Sequence, residues 1–119
     1  MSDGPLLDGA VIDEMMAQLG DEPVRGVIEL FLAEIREFAA TIAAGAAQPA
    51  DPACREAARR AAHSLKSGAG QIGAIALADA AARVERAAEP GNPDLAEAAA
   101  ALASCGAASE TALAELLRR

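Results

Sequence analysis

The chain has 119 residues, enough for one domain with a core and too few for two. A formal charge of −8, with no tryptophan, no tyrosine and no basic run, argues against a nucleic-acid or anionic-membrane surface and points to a protein partner. Apolar residues make up 53% but aromatics only 2%, so alanine supplies much of the core, helices must approach closely, and the 3.6-residue period dominates over strand patterns.

Met1 to Leu7 form a short lead-in. Asp8 is placed to cap a first helix over about 8–19, with Val11, Ile12, Met15, Met16 and Leu19 on one side and Gly20 at its end. Three turns suit a lid over one end of a bundle. Asp21 is expected to cap a longer helix with Glu22 and Pro23 in its first turn. Val24, Val27, Ile28, Phe31, Ile35, Phe38 and Ile42 give that helix a core stripe, and Gly45 is expected to close it. Both phenylalanines read as packing residues.

Asp51 and Pro52 start the third helix as cap and first-turn proline. On a helical wheel Cys54, Ala58, Ala61, Ala69 and Ile72 lie within about 40° of Leu65, a stripe suited to burial. His63, the one histidine, lies at about 160°, with Glu56, Arg59, Arg60, Ser67 and Gly70 near it and Lys66 on the flank. The helix is expected to end near Gly70 or Gln71, where Gly68, Gly70 and Gly73 weaken helical propensity. A fourth helix follows over about 74–88, with Leu77, Ala81, Val84 and Ala88 inward, and Pro90-Gly91 breaks it. Asn92-Pro93-Asp94 is read as the opening of a last helix through Leu95, Leu102, Leu113, Leu116 and Leu117, with Arg118 and Arg119 complementing its dipole. Close packing or a slight bend is expected at Ser104-Cys105-Gly106.

The expected fold is all-α: an antiparallel up-down four-helix bundle over about 21–118, with an additional short N-terminal helix, in a single domain spanning 1–119. No long uncharged apolar stretch suggests a membrane span, and Met1-Ser2-Asp3-Gly4-Pro5 has no positive n-region, so a cytoplasmic location is expected. Cys54 and Cys105 lack metal-ligand spacing, and Cys54 reads as a small buried hydrophobe. A single histidine without a cysteine pair does not support a structural zinc site.

The third helix therefore presents an exposed imidazole with cations one turn before and after it. Ser67 and Gly70 leave the adjacent surface flat enough for another protein to dock. Imidazole, which titrates near about 6.5, is a competent nucleophile at neutral pH. Phosphoryl transfer to it needs in-line positioning and charge balance more than covalent machinery. Lys66 is placed to supply a cation, with Arg59 and Arg60 as helpers. Glu56 is read either as orienting a partner or as pairing with Arg59 or Arg60. The sequence holds no GxxxxGK[ST] loop and no kinase signature set, so ATP-dependent autophosphorylation is not supported.

The run His63-Ser64-Leu65-Lys66-Ser67-Gly68, with Gly73-Ala74 ten and eleven residues after the histidine, resembles the signature of histidine-containing phosphotransfer (HPt) domains of bacterial two-component phosphorelays. Ser67 stands where many members have glycine. The likeness extends through Leu7-Asp8, Glu29-Leu30-Phe31-Leu32, Leu77-Ala78 and Val84-Glu85. It implies that His63 accepts a phosphoryl group, on Nε2 by analogy, from a receiver-domain aspartyl phosphate or hybrid histidine kinase and passes it to a response-regulator receiver. Lys66 would steady the group, while Arg59, Arg60, Ser67, Gly68, Gly70 and Gln71 would form the docking face. No cofactor is expected on this chain; Mg²⁺ belongs to the receiver. The expected partners are receiver domains and a hybrid or sensor histidine kinase, and a monomer is preferred. Two other readings stay open: a helical adaptor that binds a receiver without carrying phosphate, and an aspartyl-phosphate phosphatase in which Gln71 orients water.

Overall fold

Caps and turns divide the chain largely where its polar residues suggest. In the computed structural model, which describes residues 6–118, five helices form: α1 (Gly9–Leu19), α2 (Asp21–Ala47), α3 (Pro52–Ile72), α4 (Ile75–Ala87) and α5 (Leu95–Leu117). No strand occurs among the described residues. Met1–Pro5 and Arg119, read above as a lead-in and a dipole partner, lie outside them.

Asp8 caps α1 by accepting from the Ala10 N–H at 3.0 Å, and Asp51 caps α3 by accepting from the Ala53 N–H at 2.9 Å. Three expected boundaries move. Asp21 is the first helical residue of α2 rather than its cap, because Gly20, at φ +85°, turns the chain directly from α1 into α2. Gly45 does not end α2: it is buried inside it, and a Cβ there would lie 2.6 Å from the Cys54 carbonyl oxygen and 2.7 Å from the Ala58 Cβ. The glycine serves helix approach, and α2 runs on to Ala47. Asn92 and Pro93 precede α5 rather than open it; the Asn92 side chain accepts from the Asp94 N–H at 2.9 Å, and Asp94 is the capping position.

α3 continues to Ile72, one or two residues further than expected, and stops at Gly73 in the left-handed conformation, φ +81°. That position has no room for a side chain, since a Cβ would meet Val11 at 2.9 Å and the Asp8 carbonyl oxygen at 3.0 Å. Asp8 N–H in turn donates to the Gly73 carbonyl at 2.7 Å, so the α3–α4 turn and the start of α1 are tied together.

α2 packs on α3 and α5, and α4 packs on α3 and α5, so these four helices surround one core; α1 rests on α2 and α3. Ile28, Ile35, Ile42, Leu65, Leu77, Leu102 and Leu113 are fully buried there. Leu65, Ala58, Ala61, Ala69 and Ile72 are buried as the wheel predicts. Cys54 is not: it is half-buried, with Sγ 3.4 Å from an Asp51 carboxyl oxygen, which pushes its thiol pKa up. The buried arc of α3 instead widens toward α4, taking in Ala62 and Arg55, at about 60° and 80° from Leu65. A helix packed against two neighbours buries more than one stripe. Val27 also departs from expectation, lying 40% exposed, and Phe38 is half-buried. Near the middle of α5, Gly106 is buried, and a Cβ there would touch Ile35 at 3.4 Å, the close approach expected at that weak stretch.

Candidate functional site

His63 lies on the exposed side of α3, ten residues before the C-cap Gly73, opposite the Leu65 stripe. Its side chain is 62% exposed. Its Nδ1 lies 2.8 Å from Glu85 Oε2 on α4, and Lys66 Nζ donates to the other oxygen, Glu85 Oε1, at 2.6 Å. One carboxylate thus bridges the imidazole and the ammonium. With a carboxylate as its neighbour, Nδ1 carries the hydrogen, and Nε2 presents its lone pair. The Lys66 hydrogen bond holds the Glu85 carboxyl below the usual carboxylate range, with a smaller contribution from His63 and partial burial opposing.

Glu85 is the residue that sequence reasoning missed as part of the site, although Val84-Glu85 was noted in the resemblance. The available signal was positional. With Leu77, Ala81, Val84 and Ala88 inward, Glu85 falls at the border of the buried face of α4, where a carboxylate meets a neighbouring helix.

Arg59 and Arg60 do not reach His63. Arg59 makes a two-pronged contact with Glu56, Nε to Oε1 at 2.8 Å and Nη2 to Oε2 at 2.7 Å, and Arg60 Nε adds a bond to Oε2 at 3.3 Å. The Glu56 carboxyl is driven down from 4.5 to about 2, first by the Arg59 hydrogen bond and then by Arg60. Of the two readings of Glu56, the arginine pair is the one seen. Arg59 also lines a charged cleft between α3 and α4 with Lys66, Glu85, Arg86 and Glu89.

On the other side of α3 the surface is mostly apolar. Met15 of α1 and Val27, Leu30 and Phe31 of α2 form a groove of about 410 Å³ with Gly68, Gln71 and Ile72, with Glu34 the one charged residue lining it. Leu30 is 63% exposed, a large apolar residue with no intramolecular reason to be so. The two glycines expected to keep this face low play different parts. Gly68 is half-buried, and a Cβ there would meet the Phe31 ring at 3.0 Å; Gly70 is exposed with nothing within 4 Å of that position. Ser67 and Gln71 are exposed. Among the described residues no cluster of His, Cys, Asp and Glu could hold a metal ion, and no helix is long and apolar enough to cross a membrane.

The molecule is thus all-helical among the described residues, with one exposed, carboxylate-oriented histidine beside an open, mostly apolar groove. The chain belongs to the Hpt family: residues 26–119 match the family model described as Hpt domain. Among solved structures, histidine-containing phosphotransfer protein B (HptB) from Pseudomonas aeruginosa PAO1 is similar in fold, with a TM-score of 0.83 and 23% identity over 98% of each chain. A search of curated proteins by sequence found no match. Hpt proteins are phosphocarriers rather than kinases, and they interact with receiver domains and kinases in phosphorelays; membership supports a histidine phosphotransfer role for this chain.

Proposed function

We propose that the protein is a phosphorelay intermediate in which His63 Nε2 accepts a phosphoryl group from a receiver-domain aspartyl phosphate, or from a hybrid kinase, and returns it to a response-regulator receiver. The observation that carries this reading is the Glu85 bridge, which engages Nδ1 of a largely exposed imidazole and leaves Nε2 without a hydrogen-bond partner among the described residues. In transfer, the Nε2 lone pair attacks phosphorus as the P–O bond to the aspartyl group breaks, and the carboxylate departs. The imidazolium that forms keeps its Nδ1–H against Glu85, whose negative charge stabilises it. Lys66, already at the site, turns part of its charge toward the phosphoryl oxygens. This chain binds no cofactor in the reaction; the receiver supplies Mg²⁺ and the acidic pocket.

The docking face divides in two. An apolar ridge of the receiver enters the groove at Val27, Leu30 and Phe31 and runs over Gly68, Gly70 and Gln71, while Arg59, Arg60 and Ser67 meet its polar rim. The whole chain acts as one Hpt domain, with α2 to α5 as an antiparallel up-down bundle and α1 over one end. The cyclic packing and the short connections at 48–51, 73–74 and 88–94 support that arrangement.

The test incubates the protein and His63→Gln with a phosphorylated receiver and Mg²⁺. An acid-labile, base-stable label on the wild type alone is expected. A bound receiver without transfer would favour the adaptor, and free phosphate that persists in His63→Gln would favour the phosphatase.

A further inference from the structure

Building on the phosphotransfer reading above, we infer that Arg55 is a positioning residue for the phosphoryl site. From inside the protein it holds the C-terminal end of α4 against α3, and so sets the height at which Glu85 meets His63 and Lys66.

Arg55 is only 8% exposed, and among the described residues no carboxylate pairs with it. Its guanidinium is surrounded by backbone carbonyls instead. Nε donates to Ala88 at 3.3 Å and Nη1 to Pro49 at 2.8 Å, while Nη2 lies 3.0, 2.7 and 2.8 Å from the carbonyl oxygens of Ala87, Glu89 and Asn92. The last carbonyls of a helix have no intrahelical partners and carry partial negative charge. Arg55 is therefore the C-cap of α4, delivered by the neighbouring helix, and it also ties the α2–α3 and α4–α5 connections to the same point. A buried charge is costly unless hydrogen-bonded, and here each of the three guanidinium nitrogens has at least one carbonyl partner.

The link to the site is geometric. Glu85 stands two residues before Ala87, in the turn that Arg55 grips. Arg55 and His63 are eight residues apart on one continuous helix, about 12 Å along its axis. α3 thus holds α4 at two levels: through backbone carbonyls at Arg55, and through the Glu85 side chain at His63 and Lys66. Between these levels the buried surface of α3 consists of methyl groups, at Ala58, Ala61 and Ala62. Such shallow ridges interlock weakly, so axial register depends on polar anchors more than it would between helices bearing large side chains. The Glu85 contacts, at 2.8 and 2.6 Å, leave little tolerance for sliding before they cease to be hydrogen bonds.

The chain has one histidine, so a ¹⁵N-histidine-labelled sample reports a single imidazole. At a pH of about 9, where a histidine is neutral, long-range ¹H–¹⁵N spectra read the Nδ1–H to Nε2–H tautomer ratio directly. Wild type is expected to be mainly Nδ1–H, and Glu85→Ala to lose that preference. In Arg55→Met the ratio is expected to fall at least about threefold, and in Arg55→Lys by less. Leu113→Ala, at the far end of α5 from the Arg55 loops, should lower the melting temperature yet keep the wild-type ratio.

An unchanged ratio in Arg55→Met while Glu85→Ala shifts it would overturn the inference and leave the site reading intact. So would a shift in Leu113→Ala as large as that in Arg55→Met, since general loosening would then suffice. No shift in Glu85→Ala would instead remove the Glu85-oriented imidazole itself, and the role of Arg55 with it. If Arg55→Met does not fold, Arg55→Lys carries the comparison, and an unchanged ratio in that folded variant overturns the inference.

Discussion

At the scale of single residues, the working part of the site is a carboxylate shared by two neighbours. Glu85 gives one oxygen to His63 Nδ1 and the other to Lys66. Removing it in Glu85→Ala should leave the helices folded while slowing transfer from a phosphorylated receiver on the order of tenfold or more, because the wrong tautomer then competes at Nε2. Rapid-quench measurement of label on the chain, compared with a thermal melt of the same variant, checks both halves. Glu56 makes a different prediction. Its folded pKa, about 2, lies below the ordinary value of 4.5, so its stabilising contribution is fully present above about pH 4.5 and is lost as pH falls through that window toward 2. The melting-temperature gap between wild type and Glu56→Gln should therefore be widest above pH 4.5 and close on acidification. Equal gaps at pH 6 and pH 2.5 would contradict the arginine pairing.

The helices, as elements, sort the glycines and exposed apolar residues by task. Gly70 has open space around it, so Gly70→Leu should fold normally and slow receiver-dependent transfer by obstructing the docking face. Leu30→Glu, on the exposed rim of the groove, should raise the receiver Kd by about tenfold or more with no change in melting temperature. Isothermal titration against a cognate receiver separates that effect from misfolding. The wheel already places Gly70 on the face of His63, but it puts Val27 in the core stripe, so it does not reveal the groove beside Leu30, and it says nothing about the depth of Gly68 under Phe31. Local signals did mark the elements well where a polar side chain has one nearby backbone N–H to serve, as at Asp8 and Asp51. They failed at Gly45, which resembles a helix stop and is in fact the contact point between α2 and α3.

Across the whole molecule, stability rests on a core in which large aliphatic side chains interleave with alanines. Leu65 is among the fully buried ones, and Leu65→Ala should cost about 2 to 5 kcal/mol, read by chemical denaturation. An unchanged midpoint would show that the buried face of α3 is misassigned.

The sequence by itself determined the helical class, the capped starts of α1 and α3, the buried Leu65 stripe and the exposed side of His63. All of these depend on interactions within a few residues of one another. Only the tertiary structure decided that Glu85 meets His63 and Lys66, that Arg55 is buried among carbonyls, and that Cys54 and Val27 leave the core. Those outcomes turn on how α4 and α2 are set in height and rotation against α3, and that setting comes from contacts between residues far apart in the chain, which no local period encodes.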